Sequence, residues 1–385
     1  MPRVYMDANA TTPLDPRVFA AMRPYFADTF GNASSIHQEG QAARAALERA
    51  RESVAALLHA RPAEIVFTGG GTESDNLALF GSLRPGDHLV TTTIEHSAVL
   101  HAAEHLQRRD VQVTFVRCDA SGYISPQSIR DALQPNTKLV SVMLANNETG
   151  VLQPIAEIAE LVHAHGALLH TDAVQAAGKL PLDVAALGCD LLTLSAHKIH
   201  GPKGVGALWV RRNVRIQPLH YGGSHEHRRR AGTENVPGIV GFGVAADLSR
   251  EWLASDGPAA LAALRDRLEH SILAAIPLTG VNGANRPRVP NTTNIYFDHV
   301  EAEALLIALD LKGLAVSGGS ACQSGAVEPS HVLISMGLST ARARASLRIS
   351  LLRTVTDEDI DFALAILPEA VSRLRTLSPA FAQSH

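Results

Sequence analysis

From about Leu14 to Glu251 the chain alternates short apolar runs with amphipathic stretches, a rhythm that restricts it to an α/β layer fold. Runs at Ala63–Thr68, His88–Thr93, Val111–Arg117, Leu139–Leu144, Ala167–His170, Leu191–Leu194 and Val205–Val210 read as seven strands. Between several of them lie helical patterns, such as Gln41–Leu58 and Pro154–His165, with alanine-rich apolar positions at three- and four-residue spacing. Strand, helix, strand in repetition predicts a mostly parallel sheet. Such sheets bind ligands at the carboxyl ends of their strands, so the polar residues just after each strand matter most.

Around Ala254–Pro258 the composition shifts to small and polar residues, and a second unit follows. It reads as a helix over about Ala259–Ala275, a strand at Thr292–Phe297 and a helix over about Glu301–Leu311. A glycine- and serine-rich stretch at Ser317–Gly325, a strand at Ser346–Leu351 and a helix from about Asp357 complete it. The expected division is a large domain over residues 14–254 and a smaller α/β domain built from residues 1–13 and 255–385.

Composition excludes several classes. Of 385 residues, 46% are hydrophobic and 19% charged, a globular balance, and a net charge of −4 gives no reason to expect nucleic acid or an anionic membrane as partner. The N-terminus lacks the apolar core of a signal peptide, and no apolar run approaches the ~20 residues needed to span a bilayer. Cys118, Cys189 and Cys322 are odd in number and far apart, which argues against a disulfide framework or an intrinsic metal site. A reducing compartment, the cytoplasm, is expected.

Four strand ends carry reactive groups. After Leu191–Leu194 come Ser195-Ala196-His197-Lys198 and then glycines; a lysine there suits a Schiff base if a dry pocket lowers its pKa. After Ala167–His170 comes Asp172, placed either to pair with a protonated pyridine nitrogen or to N-cap a helix. Gly69-Gly70-Gly71-Thr72-Glu73 opens a helix after a strand and suits one phosphate monoester; it matches neither the dinucleotide pattern nor the P-loop. Glu95-His96 offers an imidazole that can stack on a planar ring and relay protons, and Asn146-Asn147 occupies the same kind of position after Val140–Leu144. Each motif alone has a bland explanation. Together they supply what pyridoxal phosphate requires.

With these motifs, the chain closely resembles the cysteine desulfurases over essentially its whole length. The resemblance is carried by Asp7-x-Asn9-Ala10-Thr11-Thr12, Phe30-Gly31-Asn32-x-x-Ser35-x-His37, Gly70–Asn76, Glu95-His96, Asn146–Gly150, Thr171–Gln175, Ser195–Lys198, Arg230–Asn235 and Ser317–Cys322. It implies a fold-type-I pyridoxal-phosphate transferase, like aspartate aminotransferase, with a mostly parallel seven-stranded sheet. Lys198 would hold the cofactor, Asp172 would pair with its ring nitrogen, His96 would stack on the ring and Gln175 would bond the ring hydroxyl oxygen. Gly71, Thr72, Ser195 and His197 would hold the phosphate, with Thr233 reaching it from the other subunit of a homodimer. Asn147, also expected to touch the cofactor, would meet the L-cysteine substrate with Arg348 and Asn32. Arg348 suits this because a guanidinium fork grips a carboxylate bidentately.

Cys322 separates this family from aminotransferases. It stands among small residues, on a stretch of about 313–330 that resembles the family's longer, mobile Cys loop. Its thiolate would take the substrate sulfur as a persulfide, leaving alanine, and pass it to an acceptor or scaffold protein. The pathways implied are iron–sulfur cluster assembly and thiolation of cofactors or tRNA. With a scaffold, Cys322 could also ligate a nascent iron–sulfur cluster transiently. Cys118 and Cys189 read as buried small hydrophobes. A selenocysteine lyase or an aminotransferase on the same scaffold is the alternative. Gly318, where serine is commonest, and His225-Glu226-His227 depart from the family pattern without touching a chemical role.

Overall fold

A computed structural model describes residues 3–318 and 328–377. The first strand, β1 (Val4–Tyr5), is followed by the seven that build the main sheet. These are β2 (Ile65–Thr68), β3 (His88–Thr92), β4 (Gln112–Val116), β5 (Thr137–Ser141), β6 (Leu168–Asp172), β7 (Leu191–Ser195) and β8 (Gly206–Val210). Their spatial order is β2-β8-β7-β6-β5-β3-β4, and only β8 runs antiparallel to its neighbours. Strands β2, β3, β7 and β8 are buried along their whole length, which is why they read as continuous apolar runs rather than alternations.

Helices cover both faces. Gln38–Leu57 and Val236–Leu253 pack together on one side, with Leu47, Val54 and Phe242 in the core beneath them. Gly71–Ser82 and Ser97–Gln107 cover the other side, burying Leu77, Leu79, Val99 and Leu106 against Val66, Leu89 and Leu208. Fully burying one such side chain contributes about 1.5–3 kcal/mol.

A third apolar cluster lies under a separate antiparallel sheet of β9 (Thr279–Val281), β10 (Thr292–Phe297) and β12 (Ser346–Ser350). Helices Gly257–Ala275, Ala302–Leu311 and Asp357–Leu377 pack on it, and β1 pairs in parallel with β11 (Leu314–Ala315). Val332, Leu333 and Met336, from the short helix His331–Ser335 and its cap, join the large sheet's core instead. Among the described residues no helix is long and apolar enough to cross a membrane.

Candidate active site

The carboxyl ends of β2, β3, β5, β6 and β7 surround a cavity of about 230 Å3. Its lining is Gly71, Thr72, Asp75, His96, Met143, Asn147, Asp172, Val174, Gln175, Ser195, His197 and Lys198. A more open cavity of about 820 Å3 shares Gly71, Thr72, Ser195 and His197 with it.

Strand β2 delivers the anion-binding end. Gly70, at φ 152° and ψ −179°, turns the chain through a conformation open to glycine alone, and the helix Gly71–Ser82 starts at once. The first-turn N–H groups of that helix have no helical acceptor and favour a negative ligand. Gly71 lies against the cavity wall: a Cβ there would meet Val174 Cγ2 at 3.1 Å. Opposite, β7 ends in Ser195 and a single 3-10 turn, Ala196–Lys198, where His197 Nδ1 bonds Thr11 Oγ1 at 3.1 Å.

Lys198 follows on that turn. Its Nζ donates to the main-chain oxygens of Asn9 and of Ala10, the latter at 2.8 Å. Burial, reinforced by the Arg348 guanidinium, lowers its pKa to about 8. Asp172 is the last residue of β6, and its Oδ1 accepts from Val174 N at 2.8 Å. It braces a turn rather than capping a helix. Burial pushes its carboxyl up, while His96 and Lys198 pull the other way. His96 caps the helix Ser97–Gln107, with Nδ1 accepting from Ala98 N at 3.1 Å. In the neutral ring, favoured because burial lowers the pKa, the proton therefore sits on Nε2.

Arg348, buried in the middle of β12, reaches across from the smaller sheet. It pairs with Asp7 at 2.7 Å and donates to Asn147 O at 3.1 Å. Its Nε, and Asn147 Oδ1 beside it, are buried without partners among the described residues. Two expected site residues lie elsewhere. Asn32 is exposed, its Oδ1 bonded to Ser34 N at 2.9 Å, and does not line the cavity. Thr233 lines a separate cavity of about 110 Å3 with Gly69, Arg230 and Asn235. Cys322 is outside the described residues. Burial pushes the Cys118 thiol up to about 11 and that of Cys189 to about 12, so neither forms a thiolate readily at neutral pH.

Sequence reasoning missed several neighbours of the site. Asn9 stood in a quoted motif without a role, yet its main-chain oxygen meets both Lys198 and Gln175. Lys179, four residues after Gln175, is buried beside them. Asp75 lines the cavity with Oδ1 making no hydrogen bond among the described residues and 3.6 Å from His170 Nε2, its pKa raised by burial and by Asp172. A signal existed only for Asp75, a carboxylate one turn inside the helix that the glycine-rich turn opens.

The family model described as aminotransferase class-V matches residues 4–362. A cysteine desulfurase from Klebsiella pneumoniae is 48% identical over 380 residues, covering 98% of this chain and 95% of its own. A cysteine desulfurase IscS from an Anaeromyxobacter strain is 49% identical over 385 residues, with coverage of 98% and 95%. Among solved structures, a NifS-like protein superposes with a TM-score of 0.89 at 35% identity, covering 96% of this chain and all of its own. SspA in complex with cysteine superposes with a TM-score of 0.80 at 37% identity, with coverage of 90% and 98%. Enzymes of this family work with pyridoxal phosphate. Whole-length similarity of this kind, together with the lysine, aspartate and histidine on one cavity, places the chain in the class-V aminotransferase family, among the cysteine desulfurases.

Proposed function

We propose that this chain removes sulfur from L-cysteine with pyridoxal phosphate in the 230 Å3 cavity, leaving alanine and a persulfide on Cys322. The observation that carries this reading is the convergence of Gly71, Thr72, His96, Asn147, Asp172, Gln175, Ser195, His197 and Lys198 on that one cavity from five strand ends. Their chemistry fits the cofactor group by group. Helix N–H groups, two hydroxyls and an imidazole suit a phosphate, a buried carboxylate suits a pyridinium, and a lysine of lowered pKa suits an aldehyde. When bound, the cofactor supplies an electrophilic carbon and an electron-withdrawing ring.

The chain's own groups do the rest. Lys198, with its pKa held near 8 by burial, has a useful neutral fraction at physiological pH and can move a proton at the substrate Cα. Asp172 keeps a proton at the ring nitrogen. His96, fixed through Nδ1, holds its ring in one orientation for stacking and for relaying a proton from Nε2. Arg348 Nε and Asn147 Oδ1, buried and unpartnered, are the groups offered to the substrate carboxylate and amine. The Cys322 thiolate attacks the substrate sulfur, the C–S bond breaks, an S–S bond forms, and the substrate carbon takes a proton. Cysteine and a thiol thus become alanine and a persulfide, whose sulfur passes to an acceptor protein.

The chain also works as a homodimer on this reading. Phe26, Phe30, Ile36 and Tyr221 are 64–91% exposed, and Thr233 lies outside its own chain's cavity, as suits a residue serving the partner. A cytoplasmic setting keeps a transfer thiol reduced. The test is direct. Purified, cofactor-loaded protein should convert L-cysteine to equal amounts of alanine and, with a reductant, sulfide. Cys322→Ser should keep the visible absorption band and lose both products, whereas Cys118→Ser and Cys189→Ser should retain them. Normal sulfide release from the Cys322→Ser protein overturns the persulfide step.

A further inference from the structure

We propose that Lys179 is a positioning residue for Gln175: by donating to Gln175 Oε1 and Asn9 Oδ1, it turns the Gln175 NH2 group toward the cavity. The inference rests on reading Gln175 as the residue that meets the cofactor's ring oxygen.

Lys179 is buried at 7% exposure, and no ion pair among the described residues includes it. Its Nζ lies 2.7 Å from Gln175 Oε1 and 3.0 Å from Asn9 Oδ1. Both are neutral acceptors, an unusual pair of partners for a lysine so far from solvent. Burial first, then the nearby Lys198 and Arg348 charges, lowers its pKa well below the ordinary value. A neutral amine has two N–H groups, and two acceptors stand in front of it.

The amide orientations follow from main-chain carbonyls, which can only accept. Asn9 Nδ2 faces Asn147 O at 3.1 Å, so the oxygen of that amide must face Lys179. Gln175 Nε2 faces Asn9 O at 3.0 Å, so its oxygen must also face Lys179. One Gln175 N–H is thereby used on Asn9 O, and the other is left for the cavity that Gln175 lines. Without the Lys179 donor, Gln175 Oε1 is a buried acceptor with no other donor among the described residues, and the single Nε2–H bond to Asn9 O is left to hold the amide.

With the cofactor bound, an N–H aimed at its ring oxygen would favour the high-pH form, in which negative charge on that oxygen has no neighbouring proton to offset it. Removing it should raise the pH midpoint of the visible absorption band. Cofactor-loaded Lys179→Met should show that midpoint raised by about half to one pH unit, in the same direction as Gln175→Leu. The double variant should shift no further than Gln175→Leu alone, because both changes remove one contact. Additive shifts, or an unmoved Lys179→Met beside a shifted Gln175→Leu, overturn the inference. An unmoved Gln175→Leu overturns the reading of Gln175 itself, and the inference with it. Should Lys179→Met not fold, a neutron structure of the loaded wild-type protein decides the point. A deuteron of Gln175 Nε2 directed at the ring oxygen is expected, and Gln175 Oε1 facing the ring overturns the proposal.

Discussion

Single residues in this site are governed by burial more than by their immediate partners, and two of them make that measurable. Burial lowers the Lys198 pKa to about 8, so the amine proposed to attack the cofactor gains its neutral form as pH rises toward that value. Apoprotein should therefore capture pyridoxal phosphate faster with increasing pH between 6.5 and 8, and level off above; a stopped-flow series showing no dependence would mean the amine is already neutral. Lys198→Ala should lose the visible band and turnover together, and borohydride reduction with peptide mapping should place the cofactor on Lys198 in the parent. Glu95 is the opposite case. Its Oε1 accepts from Thr92 Oγ1 at 2.7 Å and Met143 N at 3.0 Å, Oε2 has no hydrogen-bond partner among the described residues, and burial raises its pKa to about 8. The folded state thus keeps a proton that the unfolded state gives up. This contribution is fully present below the ordinary carboxylate range and is lost as pH rises through about 8. Glu95→Gln keeps the accepting oxygen and removes the titration. It should match the parent near pH 4.5 and exceed it by on the order of 4 kcal/mol at pH 8 in denaturant titrations. Parallel stability profiles would show that Glu95 is ionised in the fold. None of this was legible from Glu95 in the sequence, where it was only the neighbour of His96; its burial comes from strands that meet it from far along the chain.

At the scale of elements, apolar runs found the strands because both faces of this sheet are covered. Leu191–Leu194 was expected and Leu191–Ser195 is observed; Thr292–Phe297 agrees residue for residue. Ends were harder. The run Ala167–His170 stops on apolar character, whereas β6 continues through Thr171 to Asp172, whose pairing with β7 no hydropathy signal reports. Backbone hand was invisible too. Glu226, His227 and Arg228 have φ of 45°, 57° and 64°, a left-handed turn made without glycine. Side chains in that region cost about 1–2 kcal/mol each, and the turn is held from inside. Glu226 takes Arg51 in a bidentate pair at 2.7 and 2.8 Å and Phe67 N at 2.8 Å, tying the turn to the helix Gln38–Leu57 and to β2. The Arg228 side chain is exposed and makes no hydrogen bond or ion pair among the described residues. Arg228→Gly should therefore raise stability by about 0.5–1 kcal/mol, read as a higher unfolding midpoint, while Glu226→Ala should lower it by several. A destabilised Arg228→Gly protein would mean the arginine makes contacts that offset its φ.

In the whole molecule the site is assembled from segments that no local pattern could bring together. Asn9 bonds Asn147, Lys198, Gln175 and Thr292, and Arg348 bonds Asp7 and Asn147, over separations from 138 to 341 residues. The motif residues could be named one by one; that Asn9 and Lys179 stand between them could not, because no strand was expected before Asn9 and Lys179 stands seven residues past the end of β6. The same logic extends across subunits. Thr233 was expected to reach the phosphate of a partner, and in its own chain it lines a different cavity from Gly71 and Thr72. If it serves the partner, two crippled chains can repair each other. Lys198→Ala has a sound Thr233 and no amine; Thr233→Ala has a sound amine and a weakened phosphate cup. Co-refolded in equal amounts, they should form hybrids in about half of the dimers, each with one site that has both Lys198 and Thr233 intact. At limiting pyridoxal phosphate, about a quarter of the parent's sites should then bind cofactor tightly, against few in either variant alone. If Thr233 acts within its own chain, every site in the mixture lacks one of the two groups and mixing recovers nothing. Sedimentation of the same samples completes the test, since a fully active monomer at low concentration would remove the shared site altogether.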